Sequence, residues 1–403
     1  MINIVEGGVT AAKGFNAAVH VSGIKRNGEN DMALIQSVVP CSAAGFFSNS
    51  RVKSPSVKWN KKTLEAGAAV QAILVTSGNA NACNGTEGDR NCKAAANAVA
   101  TKLLISEESV MVASSGEIGV PLPMEKILNG IKILGDSMEH TNKAGTEVAG
   151  AIMTTNSGPK EIAFEFTLSD GTVCTIGGCA KGSSAARSDM STMLVFLTTD
   201  INISPQLIQS ALDVDVKYTY NMVARETGVS PNDSVILLAN GMAGNEMITS
   251  NNEDYQLFRE VLHEINIYFS KKIAVDNEYR MSLFNCVVSG AADSQTARFI
   301  ARFVASSRQT RMLFQENSNE WGGVLAEVGT CGAEYNTDAV DMCLESREGS
   351  VEIVNKGKLL LYDRRKVSDV MAADELTLKI NLNMGKAVAH SWGRGLYIID
   401  VKA

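Results

Sequence analysis

Apolar and polar positions along the chain follow two rhythms. Short runs with a strand's period, or fully apolar runs of strand length, occur at Gln71–Val75, Val110–Ala113, Met193–Leu197, Ser234–Ala239 and Phe284–Val288. Gly323–Val328 and Gly395–Val401 also read as strands. Glu375–Leu382 alternates cleanly, with Leu376, Leu378, Ile380 and Leu382 on one face. Longer stretches predict helices at Glu87–Leu104, Met124–Leu134, about Met138–Met153, Pro205–Val223, Asp254–Ala274 and Asp293–Ser306. Residues 1–60 predict short strands and loops, such as Met32–Ile35 and Ala43–Phe47. One hairpin is strongly signalled. Ile162, Phe164, Phe166 and Leu168 alternate, Asp170-Gly171 predicts a type I′ turn, and Thr172–Ile176 returns. A second hairpin is expected about Asn355-Lys356-Gly357. Helices alternating with strands and frequent hairpins give an α/β chain with mixed or largely antiparallel sheets.

The length of 403 residues fits two or three structural units, or one large domain. With 45% apolar and 20% charged residues and a net charge of −7, the composition is that of a globular protein, and no basic concentration suggests nucleic acid. No apolar run reaches the roughly 18 residues that span a bilayer. The start, Met1 to Glu6, lacks the basic and apolar regions of a signal peptide, so a cytoplasmic location is expected. Eight cysteines form no CxxC pair or zinc pattern and are expected as reduced, packed thiols. The four histidines lie in no catalytic or metal-binding pattern, and no metal is expected.

The candidate chemistry lies in Gly177–Asp200, around Thr192. A Gly/Ser/Ala-rich run with one lysine, Lys181, precedes Thr192, and a buried-strand run follows it. A hydroxyl at a loop-to-strand junction is held from one side and approached from the other. Threonine is a poor nucleophile until a base activates it, and the α-amine of a chain-starting Thr is such a base. Its ordinary pKa, roughly 7.7–8.0, leaves much of it neutral near working pH. An internal Thr192 reaches that state only if the Ser191–Thr192 bond is cut. Attack of Thr192 Oγ on the Ser191 carbonyl, followed by ester hydrolysis, would do so. Most threonines at strand starts are structural, so the junction alone does not decide. Separately, Ser77 to Cys83 is loop chemistry after a strand, and Ser114 to Gly119 is a Gly-containing turn where backbone N–H groups can converge.

The order of motifs carries more. Val9-Thr10-Ala11-Ala12-Lys13-Gly14-Phe15 resembles the VTAPKGF of the ornithine acetyltransferase family, also called bifunctional glutamate N-acetyltransferases. Ser77-Gly78-Asn79-Ala80-Asn81-Ala82-Cys83 is similar to its SGNANAC, and Ala113 to Gly119 to its STGxIG segment. Ile152-Met153-Thr154-Thr155 resembles its IMTTD. Ala180-Lys181-Gly182-Ser183 and Met190-Ser191-Thr192-Met193-Leu194 resemble its AKGSG and MATML. The resemblance covers nearly the whole chain. It implies an αββα-like architecture of the self-cleaving N-terminal-nucleophile type. The cut would leave an α chain, 1–191, and a β chain, 192–403, assembled as a heterotetramer of both. It implies Thr192 as nucleophile, Ser115 and Gly116 as the oxyanion hole, and Thr155, Lys181 and Glu278 as substrate-binding positions. The implied reaction moves acetyl from N-acetylornithine to Thr192 and then to glutamate, within arginine biosynthesis, with no cofactor.

Departures cluster near the expected pocket. Ser115 stands where the family has Thr, keeping a hydroxyl. Ser184 replaces Gly, Ala185 and Ala186 replace larger apolar residues, Arg187 and Ser188 replace Ala-Pro, and Asp189 replaces Asn. Asp276 to Ser282 stands where the family reads DGEGATK, bringing in Tyr279 and Arg280. NWGR has become Asn319-Glu320-Trp321-Gly322-Gly323, and the family's closing NADYRT segment has no counterpart before Ala403. The expectation is retained acyl-transfer machinery with altered walls. Arg187 and Arg280 could recognise an anionic group. An amidase or aminopeptidase of the same architecture, or an uncleaved non-catalytic relative, are the alternatives.

Overall fold

The structure, a computed structural model, describes residues 2–183, 192–225, 228–275, 283–315 and 320–394. The chain divides into two compact units, Met1–Val216 with Gly228–Phe269, and Lys217–Thr227 with Ser270–Ala403.

The first unit contains β1 (Ile2–Val5), β2 (Phe15–His20), β3 (Met32–Phe47), α1 (Pro55–Glu65), β4 (Val70–Asn79), α2 (Gly85–Leu103), β5 (Val110–Glu117), α3 (Met124–Asp136), α4 (Asn142–Ala151), β6 (Lys160–Thr167), β7 (Val173–Lys181), β8 (Leu194–Thr199), α5 (Pro205–Asp215), β9 (Ser234–Ala239) and α6 (Glu253–Ala274). Its strands run β1-β6-β7-β8-β9-β3-β4-β5, with β2 also on β3. The β4–β5 and β8–β9 pairs are parallel and the others antiparallel, a mixed sheet as the alternation predicts.

The long β3 makes two layers from one ribbon. Its first part pairs with β2 and β4 and its last part with β9. The register with β4 shifts between Gln36 and Cys41, a stretch containing Pro40, which has no N–H to donate. Strand periodicity then sorts side chains between layers. Ile73, Val75, Met111 and Ala113 meet Leu194, Phe196, Ile236 and Leu238 in one core. Their neighbours Ala72, Leu74, Val110 and Val112 join Val99 of α2 and Ile127 and Ile131 of α3 in another. Full burial of a side chain such as Phe196 contributes roughly 1.5–3 kcal/mol. On the far side, a Cβ added to Gly178 would lie 2.5 Å from Leu197 and 3.2 Å from Phe269 of α6. The layers are helix, sheet, sheet, helix.

The second unit contains β10 (Leu283–Ala291), α7 (Ser294–Ser306), α8 (Arg308–Gln315), α9 (Gly322–Thr330), β11 (Asp341–Ser346), β12 (Gly349–Asn355), β13 (Lys358–Leu359), α10 (Arg364–Met371), β14 (Glu375–Asn381) and β15 (Ala387–Arg394). The sheet order is β13-β12-β11-β14-β10-β15. Ala297, Ile300, Ala301 and Val304 form the buried stripe of α7.

Four expectations change. Residues 1–60 hold one long strand, β3, and a helix, α1. That helix starts at Ser54-Pro55, where Ser54 Oγ accepts from Val57 N and Pro sits at the first turn. Gly323–Val328 is not a strand but part of α9, burying Val324 and Val328 one turn apart. The helix from Pro205 ends at Asp215, and a separate 3-10 turn covers Tyr220–Met222. The β6–β7 turn is not type I′, because only Gly171 has positive φ, +87°. Leu168 N donates to Thr172 O and Gly171 N to Leu168 O, which makes a three-residue loop with Gly in the left-handed position. The Gly395–Val401 strand lies outside the described residues.

Candidate active site

The first unit's motifs meet at strand ends. VTAAKGF packs beside β8. Thr198 Oγ1 donates to Val9 O at 2.8 Å, and Lys13 N to Asp200 Oδ2 at 3.1 Å. Burial pushes the Asp200 carboxyl up, while the N–H groups of Thr175 and Lys13 oppose that shift. The segment after β4 is tied down by its asparagines. Asn79 Nδ2 donates to Val120 O and Pro121 O, and Asn79 Oδ1 accepts from Asn81 N.

β4 and β5 end side by side at Gly78 and Gly116. Gly116 has φ +134°, and a Cβ there would lie 2.2 Å from the Gly78 carbonyl carbon. No side chain fits that approach. Ser115, one residue earlier, is buried. Lys181, at the end of β7, is buried with it. Its Nζ donates to Ser115 Oγ at 3.0 Å and to Thr154 Oγ1 at 2.7 Å. Lys181 Nζ is the donor in that bond, so the Ser115 hydroxyl accepts there and keeps its own proton for another acceptor. Thr154, not anticipated from sequence, is the hydroxyl on Lys181, while Thr155 is exposed. The loop carrying both is fastened at each end. Asn156 Nδ2 donates to Gly182 O at 2.9 Å, and Lys25 Nζ and Ser77 Oγ both donate to Ala151 O. Burial pulls the Lys25 ammonium's pKa down, against the pull of Glu29 and Asp31.

Thr192 is also buried, two residues before the first residue of β8. Lys181 and Leu194 are register partners, so the lysine and the threonine stand at the same edge of the β7–β8 pair. Thr192 Oγ1 lies 2.9 Å from Ser230 Oγ. The adjoining Met193 N donates to Asp233 Oδ1 at 2.7 Å, and Ser234 N to Met193 O at 2.9 Å. Ser230 and Asp233 were not anticipated. Their only signal in the sequence is a Ser-Pro-Asn-Asp loop leading into a strand.

The structure thus joins Ser115 with Lys181 through one bond and sets Thr192 at the adjoining strand start. Glu278, Ser191, Arg187, Asp189 and Arg280 lie outside the described residues. Among the described residues, no group of three or more His, Cys, Asp or Glu could hold a metal, and all eight cysteines are free thiols. Burial pushes Cys41 and Cys92 up to about 12, which keeps both as neutral thiols. Among the described residues, no helix is long and apolar enough to cross a membrane.

A family model described as the ArgJ family matches residues 16–398. The chain is similar to the arginine biosynthesis bifunctional protein ArgJ 1 of Clostridium acetobutylicum, 37% identical over 394 residues, covering 98% of this chain and 96% of that one. It is 36% identical over 402 residues to the ArgJ of Caldanaerobacter subterraneus subsp. tengcongensis, covering 100% and 98%. Among solved structures, it is similar to the ornithine acetyltransferase of Mycobacterium tuberculosis complexed with ornithine. That likeness is 35% identity over 48% of this chain and 100% of that one, with a TM-score of 0.43.

Proposed function

The chain belongs to the ArgJ family, and from that membership we propose that it is a self-processing N-acetyltransferase. It moves acetyl from N-acetylornithine to glutamate, or a related amino acid, in arginine biosynthesis. Thr192 is the nucleophile. It is released as a chain start by cleavage after Ser191, and its α-amine then serves as base. N-acetylornithine acylates Thr192 Oγ and ornithine leaves; glutamate then attacks the acetyl ester and restores the hydroxyl.

One observation carries the reading. The buried Lys181 ammonium bonds Ser115 Oγ beside the Gly116 turn. A hydroxyl polarised by an ammonium and still holding its proton is a strong donor toward an oxyanion. Ser115 and the Gly116 backbone fill that role, and Thr154 and Lys181 receive a substrate carboxylate. Thr155 and Glu278 complete the substrate contacts, with Glu278 facing the ornithine ammonium. The site works without a cofactor.

Strand pairing supports the cut. β7 and β8 flank the Ser191–Thr192 bond and pair along their length. Chains 1–191 and 192–403 therefore share one sheet after cleavage and stay together. They assemble further as a heterotetramer in the cytoplasm.

The test is a gel with a transfer assay. Purified protein should run as two fragments, with Edman sequencing of the smaller chain's partner beginning at Thr192. It should move acetyl from N-acetylornithine to glutamate faster than to water. An intact chain, or release of free acetate alone, would overturn the proposal.

A further inference from the structure

The dipeptide Ser-Pro occurs at Ser54-Pro55, Ser204-Pro205 and Ser230-Pro231. At the first two it starts a helix, and the serine hydroxyl caps it. Ser54 Oγ accepts from Val57 N and Ser204 Oγ from Leu207 N. The third starts no helix. Ser230 Oγ accepts instead from Asn232 N at 3.2 Å and lies 2.9 Å from Thr192 Oγ1.

Its backbone is fixed from several sides. Ser48 Oγ donates to Ser230 O, Ser54 N donates to Pro231 O at 3.1 Å, and Ser48 N donates to Asp233 O at 2.8 Å. Both Thr192 and Ser230 are buried. A serine held this firmly, against a hydroxyl 38 positions away in sequence, is positioned for that hydroxyl.

The chemistry gives it work. In one threonine residue, Oγ–H and the α-nitrogen are joined through Cα and Cβ, so a direct O–H···N bond closes a small ring at a poor angle. Hydrogen bonds weaken steeply as that angle falls toward about 120°. A second hydroxyl bridging the two atoms allows near-linear bonds on both sides. Asn232 fastens the loop further: it is buried, and its Nδ2 donates to Ala80 O at 2.7 Å.

We infer that Ser230 is a catalytic residue that relays the proton between Thr192 Oγ and Thr192 N, first in self-cleavage and then in each acetyl transfer. This rests on the proposed nucleophilic role of Thr192. In cleavage, Thr192 Oγ bonds to the Ser191 carbonyl carbon and gives its proton to Ser230 Oγ. Ser230 gives its own proton to the Thr192 nitrogen as the Ser191 C–N bond breaks. The products are a Ser191 ester on Thr192 Oγ and a free Thr192 amine. Water then hydrolyses the ester. In turnover the same path takes the Oγ proton to the amine during acylation.

The test uses full-length chain made by cell-free translation, followed on gels in mixtures of light and heavy water. Wild type should be cut with a curved dependence of rate on deuterium fraction, the signature of two protons in flight. Ser230→Ala should melt within a few degrees of wild type, cut about 100-fold more slowly, and show a linear dependence. Wild type cut normally with Ser230→Ala equally fast would overturn the relay and leave the acyl-Thr192 reading standing. A linear dependence in wild type would overturn the relay even if Ser230→Ala does not fold. Wild type that stays intact would overturn both.

Discussion

On the proposed mechanism, the two sides of the site are finished at different times. On the β5 side, Ser115, Gly116 and Lys181 are already assembled in the uncut chain, with the Lys181 Nζ–Ser115 Oγ bond in place. On the β8 side, the hydroxyl that Thr192 meets among the described residues is that of Ser230. The first side needs shape and charge, which folding supplies. The second needs a base, which on this account folding alone does not supply and a cut does.

Breaking the β8 side should cost most. Thr192→Ala should leave the chain uncut and lower acetyl transfer by about 10⁴-fold or more, as loss of a nucleophile does. Gel analysis and transfer from N-acetylornithine check it. Thr192→Ser should retain both, more weakly.

On the β5 side, Ser115→Ala should lower kcat by about 10²–10³-fold, equivalent to roughly 2.7–4 kcal/mol of barrier, with KM changed far less. Steady-state kinetics on already cleaved protein separates the two constants. A proportionate rise in KM alone would mean that Ser115 binds ground-state substrate.

Gly116→Ala tests shape more than charge. Its Cβ has no room beside the Gly78 carbonyl and its φ is strained. The cost should be about 1–3 kcal/mol of stability, read by urea unfolding.

The smallest effect lies on the α5–α6 pair and serves as a control. The Asp215 carboxylate accepts from His263 at 2.5 Å, raising the histidine's pKa above its ordinary value, and burial opposes the shift. A raised pKa means the folded state holds the proton more tightly. That stability is complete below about pH 6.5 and fades as pH rises through the folded pKa. His263 is partly exposed, so solvent screening keeps the contribution under about 1 kcal/mol. Melting temperature should fall by a degree or two as pH rises through that range, and His263→Gln should flatten the profile.

Much of the fold is legible locally. The alternation in Glu375–Leu382 reads directly as β14 because each face of a strand sees one environment, and the short apolar run Ser234–Ala239, buried throughout, reads as β9. Gly323–Val328 misleads because a short apolar run fits a strand or a buried helix turn equally well, and only packing partners choose. Met32–Ile35 and Ala43–Phe47 read as separate strands because Gln36, Ser37, Pro40 and Ser42 between them hide that one strand serves two layers.

The site divides the same way. Ser115, Gly116, Lys181 and Thr192 stand in motif strings whose order betrays them. Ser230 and Asp233 do not, and Thr154 stands in one without being marked out from Thr155, because their roles come from contacts across strand ends and from no local period. Thr154 and Thr155 are chemically identical in sequence, and only the direction of the loop gives Lys181 to the first.

The central claim is that acetyl rests on the hydroxyl of a new chain start at Thr192. Cleaved protein mixed with N-acetylornithine, without acceptor, should carry one acetyl group on the peptide that begins with Thr192, by mass spectrometry. Adding glutamate should discharge it as N-acetylglutamate. Acetyl transfer by a chain that remains uncut, or by one that never carries acetyl on Thr192, would contradict the account.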